Sequence, residues 1–197
     1  MIVALFTLST CTRTHTHTHT HKHTHTGKIT KHTSGIDISN GIGWNLDNTV
    51  MYYIDSLPRK VYAFDYNEQE GTVTNQRVCI DYAKDDSLGL PDGMCVDVQG
   101  RAWVTGFFGQ AVTCWDMNTG EMVDQIKVPA KRTTSCYFGG PNYEWLFVTS
   151  AYHGVETAER GVPSRWGDIC GEGTGNQGSS CISVQTMSDS KDEILLS

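Results

Sequence analysis

Two side chains that carry oxygen donors, Asn40 and Asp92, each stand directly before a glycine and are separated by 52 residues. An amide oxygen and a carboxylate are ligands that hard divalent cations such as Ca²⁺, Mg²⁺ and Mn²⁺ prefer. Asn-Gly and Asp-Gly also begin many ordinary turns, so the dipeptides alone favour a turn over a cation site. The chemical role of the pair therefore depends on the elements that hold the two residues.

The segment from residue 37 to about residue 154 has the pattern of an all-β domain. Short runs rich in β-branched and aromatic residues alternate there with turn signals, and no sustained helical stripe of apolar residues is present. We predict strands at residues 43–45, 49–55, 60–65, 73–80, 93–97, 102–105, 111–116, 122–128, 135–138 and 145–150.

The predicted strands form a repeat. The run that begins at Asn40 has the same order of strands and turns as the run that begins at Asp92, and a third copy begins near Ser135, 43 residues after Asp92. These spacings fit four-stranded β-propeller blades of ~40 to 50 residues each. Equivalent positions of consecutive blades face one central channel, so we predict that Asn40 and Asp92 converge there. A β-sandwich, the alternative, would not require this internal register.

Several ordered motifs of this segment resemble the senescence marker protein and gluconolactonase family. They are Ser39-Asn40-Gly41, Pro91-Asp92-Gly93-Met94-Cys95 and the run of residues 133–140, and the resemblance covers about residues 37–154. It implies a six-bladed β-propeller, of which this chain would hold two complete blades and part of a third. It also implies the hydrolysis of sugar lactones such as gluconolactone with one bound divalent cation, Ca²⁺ in the first place, with Zn²⁺, Mn²⁺ or Mg²⁺ as alternatives.

The same resemblance assigns roles to single residues. Two of the family's three metal ligands fall on Asn40 and Asp92. The third, a Glu near the chain start, has no counterpart, because no Glu precedes Glu68. In a lactonase, a carboxylate at the metal takes a proton from the attacking water, and we expect Asp92 to be this general base as well as a ligand.

Two other functions remain open at this point. One is a non-enzymatic calcium-binding or regulatory propeller fragment, which the missing third ligand favours. The other is a protein-interaction module that uses the exposed edges of incomplete blades, and such edges also predict self-association.

Charge argues against a nucleic-acid partner. Residues 1–35 contain four basic residues and no acid, whereas the remaining 162 residues contain 11 basic and 22 acidic ones. A body of this sign lacks the basic face that phosphate binding requires, and it suits cations or neutral solutes. We also expect no membrane partner, because no apolar run is long enough to cross a bilayer.

Both ends of the sequence differ from the body in composition. Residues 1–36 contain an alternating Thr-His tract, with histidines at positions 15, 17, 19, 21, 23 and 25, and residues 155–197 are rich in Gly and Ser. We predict disorder in both segments. The histidines suggest a binding tract for zinc, copper or nickel, but a simple dinucleotide repeat in the gene encodes the same alternation.

The seven cysteines are an odd number without a Cys-x-x-Cys pair, and they lie mostly in apolar runs. We interpret them as buried thiols of a cytoplasmic protein, with secretion as the minority alternative for the apolar start of the chain, and we assign none as a nucleophile. Asp55 and Asp97 have weaker claims to the channel than Asp92. Trp44, Trp103, Trp115 and Trp145 are expected between blades.

Overall fold

The structure, a computed structural model, describes residues 3–4, 18–23, 29–151 and 180–186, with side chains between residues 31 and 151. The strands are β1 (Val3–Ala4), β2 (Thr18–His23), β3 (Ile29–Ile36), β4 (Ser39–Trp44), β5 (Val50–Asp55), β6 (Lys60–Asn67), β7 (Thr72–Asp81), β8 (Leu90–Val96), β9 (Ala102–Phe107), β10 (Ala111–Trp115), β11 (Met122–Lys127), β12 (Thr133–Gly139), β13 (Trp145–Ala151) and β14 (Ser180–Thr186). Two short 3-10 helices, Tyr82–Lys84 and Asp86–Leu88, connect β7 to β8. No helix in these described ranges is long and apolar enough to cross a membrane.

The strands pair into antiparallel sheets in which each strand follows its sequence neighbour. The first sheet is β4-β5-β6-β7, the second is β8-β9-β10-β11, the third is β12-β13-β14, and the N-terminal sheet is β1-β2-β3. Each of the strands β5 to β13 overlaps a strand predicted from the sequence. The prediction of an all-β fold is therefore confirmed.

The internal repeat is visible in the backbone of the turns. Asn48 and Gly100 occupy equivalent places in the turns that follow β4 and β8, and both have positive φ angles, 54° and 80°. Asn and Gly tolerate this left-handed conformation better than other residues. The two turns therefore share one conformation, which explains the residue types at both positions.

The second sheet is packed on both faces. Val104 of β9 is fully buried against the first sheet, in a cluster that includes Ile54 and Val61. Trp103, the preceding residue, is fully buried on the opposite face, in a cluster with Leu146 of the third sheet. Successive residues of a strand point to opposite faces, so β9 contributes to two cores at once. Stacked antiparallel sheets of this kind are typical of consecutive propeller blades.

Glycines set the closest approach between the first strands of these sheets. A Cβ on Gly41 of β4 would lie 2.8 Å from the backbone nitrogen of Met94 on β8. Likewise, a Cβ on Gly93 of β8 would lie 2.6 Å from the Cα of Ser135 on β12. The strands β4, β8 and β12, called the inner strands from here on, therefore follow one another in backbone contact.

Both segments that were expected to be disordered contain strands. The strands β1 to β3 fall within residues 1–36, and β14 pairs along its whole length with β13. The alternation of β-branched Thr with a polar residue has the period of a strand, which gives β2 a local preference that the disorder prediction ignored. The histidines of the tract at positions 19, 21 and 23 lie on β2, and those at positions 15, 17 and 25 lie outside the described residues.

The tryptophans only partly follow the expectation that they lie between sheets. Trp103 and Trp115 are buried, but Trp145 is 37% exposed. Trp145 pairs across the sheet with Gly139 and lies on the face of the third sheet that the second sheet does not cover. Its position between two blades therefore stays a prediction, since no described sheet covers this face.

Candidate metal centre

Each of the two candidate ligands lies in a β-bulge at the beginning of an inner strand. Between the pairs that flank each irregularity, the inner strand advances three residues while its neighbour advances two. The residues in these bulges are Asn40-Gly41 on β4 and Asp92-Gly93 on β8. A bulge bends the strand and turns a side chain away from its regular direction. The sequence therefore places its amide and its carboxylate at equivalent irregular positions of adjacent strands.

A hydrogen-bonded chain connects the two positions. The Asn40 Nδ2 donates to Ser56 Oγ at 2.9 Å, and the same hydroxyl donates to the carbonyl of Pro91 at 2.6 Å. Ser56 directly follows β5 and is 4% exposed, and Pro91 is the residue before Asp92. The bridge joins the first and second sheets at the level of both candidate ligands.

The carboxylate of Asp92 is half-buried and makes no hydrogen bond or ion pair with any residue between 31 and 151. Burial raises the pKa of Asp92 to about 7, because no opposite charge or donor offsets the loss of hydration. A divalent cation would supply the missing partner. The donor set thus fits a hard cation at this position.

The Asn40 side chain offers a second oxygen. Its Nδ2 faces Ser56, whereas its Oδ1 accepts no hydrogen bond from the residues whose side chains are described. An amide oxygen in this condition is a suitable calcium ligand. Asn40 and Asp92 together would supply two of the six to eight oxygens that Ca²⁺ takes.

Asp92 belongs to no larger cluster of ionisable metal ligands within the part of the chain that the structure describes. No group of three or more His, Cys, Asp or Glu side chains there could hold a metal ion. The hydroxyl of Ser135 lies beside Gly93, since a Cβ on that glycine would be 2.6 Å from Ser135 Oγ. Ser135 therefore brings a neutral oxygen to the next inner strand, where a charged ligand is absent.

The other two candidate carboxylates are used to support the backbone. Asp55 accepts hydrogen bonds from the N–H groups of Asp37 and Ile38 at 3.0 and 2.9 Å. Asp97 accepts hydrogen bonds from the N–H groups of Gln99 and Arg101, both at 2.9 Å, and also pairs with the Arg101 side chain at 2.7 Å. Because both carboxylates already accept these hydrogen bonds, they are less available than Asp92 as ligands of a cation.

The cysteines between residues 31 and 151 are free thiols in the interior. Cys95, Cys114 and Cys136 are buried, and Cys79 is partly buried. Burial raises the pKa of Cys79 and of Cys114 to about 12, so neither is a thiolate at neutral pH. This agrees with assigning no nucleophile among them.

The fold and the candidate site together define a class of protein, in which antiparallel sheets are stacked and the bulges of their inner strands carry oxygen donors suited to a divalent cation. The family model that matches the chain is the SMP-30/Gluconolactonase/LRE-like region, over residues 5–152. The chain therefore belongs to this family of β-propellers. The match begins well before residue 37, where the motif resemblance was expected to begin.

Regucalcin from Danio rerio is 45% identical over 128 residues, which cover 65% of this chain and 43% of the relative. Among solved structures, luciferin-regenerating enzyme has 37% identity and a TM-score of 0.65, covering 67% of this chain and 43% of the other. A calcium-binding regucalcin from Agrobacterium tumefaciens has 28% identity and a TM-score of 0.65, covering 71% and 46%. The chain thus spans less than half the length of these relatives.

Sequence reasoning missed the bulges and Ser56. The bulges have a weak signal, a polar residue followed by glycine at repeat-equivalent positions before a strand. Ser56 has no such signal in the repeat. It directly follows the second strand of the first copy, and the second copy has Phe107 at the equivalent position. Only the contact between sheets shows that this hydroxyl belongs to the site.

Proposed function

We propose that this chain carries part of the divalent-cation site of a lactone hydrolase that opens sugar lactones such as gluconolactone. The observation that supports it most directly is the position of Asn40 and Asp92 at equivalent bulges of contacting inner strands. In this proposal, residues 37–154 are two complete blades and part of a third of a six-bladed propeller. The third ligand and the residues that hold the substrate lie elsewhere in the complete site.

The chemistry follows from the state of each side chain. Asn40 Oδ1 and the Asp92 carboxylate would hold a divalent cation, Ca²⁺ in the first place, and Asn40 as a neutral ligand would leave the net charge of the centre positive. A cation held there would supply positive charge next to the lactone carbonyl and its developing oxyanion. Asp92 would also take a proton from the attacking water.

The alternative is calcium binding without turnover. It is supported by the finding that no group of three or more His, Cys, Asp or Glu side chains among residues 31–151 could hold a metal ion. A site with two protein oxygens and solvent would bind a cation weakly and would hold no substrate. The description of the Agrobacterium tumefaciens relative as a calcium-binding protein is consistent with either function.

The test measures cation binding and lactone opening on the same samples. Calorimetric titration with Ca²⁺, Mn²⁺ and Zn²⁺ is combined with a proton-release assay on gluconolactone, for the full chain and for Asp92→Asn. Asp124→Asn is the matched control, because Asp124 is exposed on β11, at the opposite edge of the second sheet from β8. We expect cation-dependent turnover that Asp92→Asn removes and Asp124→Asn retains.

The two functions give different results. Cation binding that depends on Asp92 without any turnover would favour the calcium-binding alternative. Equal Ca²⁺ binding by the wild type and Asp92→Asn would contradict both, whereas Zn²⁺ binding does not separate them, because the Thr-His tract also offers zinc ligands. We further propose a cytoplasmic location, supported by the free thiols, and a small sugar lactone rather than nucleic acid as the partner.

A further inference from the structure

We propose that Ser56 is a positioning residue that fixes the amide orientation of Asn40, so that Oδ1 rather than Nδ2 is available to a cation. This inference rests on the proposed cation site and concerns a residue outside its ligand set. Ser56 lies in the first sheet, directly after β5, and is buried at 4% exposure.

The direction of one hydrogen bond is settled by the chemistry of its acceptor. Ser56 Oγ lies 2.6 Å from the carbonyl oxygen of Pro91, which has no proton to give. The hydroxyl proton of Ser56 must therefore point at Pro91, because a hydroxyl has only one proton. This leaves the lone pairs of Ser56 Oγ as its remaining hydrogen-bonding capacity.

The second hydrogen bond then fixes Asn40. Ser56 Oγ can only accept from the Asn40 carboxamide 2.9 Å away, so the atom that faces it must be the amide nitrogen. A flipped amide would place Oδ1 against Oγ, two acceptors in contact without a proton between them. The flip costs a partly buried hydrogen bond, so the oxygen is held on the other side of the carboxamide.

Orientation matters because the two ends of a carboxamide are not equivalent toward a cation. Oδ1 can coordinate Ca²⁺, whereas an amide NH₂ group repels it. Without the hydrogen bond to Ser56, the Asn40 carboxamide could adopt either orientation and would lose this freedom on binding the cation. Ser56 fixes the orientation in the absence of the cation. Its hydrogen bond to the Pro91 carbonyl also fixes the peptide that precedes Asp92.

The experiment compares Ser56→Ala, Ser56→Thr and a matched control, Thr133→Val, in the full chain. Thr133 is also a buried hydroxyl that donates across a sheet boundary, to the carbonyl of Gly106 at 2.7 Å, but it does not contact Asn40. Circular dichroism and intrinsic tryptophan fluorescence show whether each variant retains the fold.

The first measurement needs no cation. The side-chain NH₂ resonance of Asn40, assigned by its loss in Asn40→Ala, is followed by ¹⁵N NMR. We expect one slowly exchanging proton in the wild type, in Ser56→Thr and in Thr133→Val, and fast exchange of both protons in Ser56→Ala. Fast exchange in the wild type would overturn the proposal.

The second measurement is calorimetric Ca²⁺ affinity. We expect binding about 10- to 100-fold weaker in Ser56→Ala, as for other residues that orient a metal ligand, with near-normal affinity in Ser56→Thr and Thr133→Val. If Asp92→Asn abolishes binding while Ser56→Ala binds as the wild type does, the role of Ser56 is refuted and the cation site stands. If the wild type binds no cation, the proposed function fails, and the NMR result alone decides the orientation of Asn40.

Discussion

The carboxylate of Asp92 is half-buried, and no described residue supplies an opposite charge or a hydrogen-bond donor to it. The affinity for a cation should therefore depend on the protonation state of Asp92. Burial raises its pKa to about 7, so a proton competes with the cation near neutral pH. We expect the apparent Ca²⁺ affinity of the full chain to fall about tenfold between pH 8 and pH 6. Calorimetric titration at pH 6, 7 and 8 checks this, and an affinity independent of pH would contradict it.

The same pKa predicts a stability effect in the absence of cation. The folded pKa of Asp92 lies above the ordinary value, so the folded state holds the proton more tightly than the unfolded chain does. The resulting stability is complete below about pH 4 and is lost as the pH rises through 7. At pH 8, the unfolding free energy of Asp92→Asn should therefore exceed that of the wild type by about 1–2 kcal/mol after allowance for solvent screening. The variant should accordingly unfold at a higher urea concentration.

Near pH 4 the stabilities of the two proteins should differ little, because Asp92 of the wild type is then protonated in the folded state and about half protonated in the unfolded chain. Urea unfolding in a chelating buffer at pH 4 and pH 8 provides the comparison, with Asp124→Asn as the control. A gain of stability that is equal at both pH values would show that packing, rather than charge, is responsible.

At the residue scale, the sequence predicted the candidate ligands but not their support. Asn40 and Asp92 could be selected because a repeat places them at equivalent positions, and repetition is visible in a linear sequence. The bridge through Ser56 joins residues 16 and 35 positions apart across two sheets, and no local pattern encodes such a contact. The same holds for the backbone bonds that engage Asp55.

At the element scale, the spacing of the inner strands depends on glycine. Gly93→Ala would place a Cβ 2.6 Å from the Cα of Ser135, where neither backbone can move without separating β8 from β12. We expect a loss of about 2–3 kcal/mol in unfolding free energy, since overpacking of this kind strains both strands. Urea unfolding of the variant measures it.

Gly43→Ala is the matched control for that substitution. Gly43 also lies on an inner strand, but its nearest neighbour would be a methyl group of Val96 at 3.2 Å, which a side-chain rotation can relieve. The loss of unfolding free energy in Gly43→Ala should be clearly smaller than in Gly93→Ala. Equal losses in the two variants would mean that the glycines serve backbone flexibility and not close approach.

The elements themselves were largely predictable because their signals are local. Strands with alternating apolar residues and turns with Asn or Gly were located from the sequence, as Asn48 and Gly100 illustrate. The strand β14 was missed for a different reason. Its pairing energy comes from its neighbour β13, and composition contains no information about a neighbouring strand.

At the scale of the whole molecule, the third sheet has an aromatic face that no described residue covers. Tyr137 is 70% exposed and Trp145 is 37% exposed, and Phe147 pairs across the strands with Tyr137. An apolar face of this kind favours association in water. We expect the chain to self-associate with rising concentration, as measured by light scattering coupled to size-exclusion chromatography.

Tyr137→Lys should reduce this association, because it places a charge at the centre of the face. Val98→Lys is the control, since Val98 is 78% exposed in a turn of the second sheet, away from the aromatic face. If both variants associate as the wild type does, the contact lies elsewhere on the surface.

The stacking of the sheets has a consequence for how such a protein can be assembled. The glycine contact from β4 to β8 recurs from β8 to β12, and each contact joins the first strands of two sheets between which the chain crosses only once. Surfaces of this type can also dock when they belong to separate polypeptides, at the cost of the translational and rotational freedom that a covalent link would save. If the proposed cation site is shared with sheets of a second polypeptide, this stacking would let two pieces produced apart assemble through the same glycine contacts.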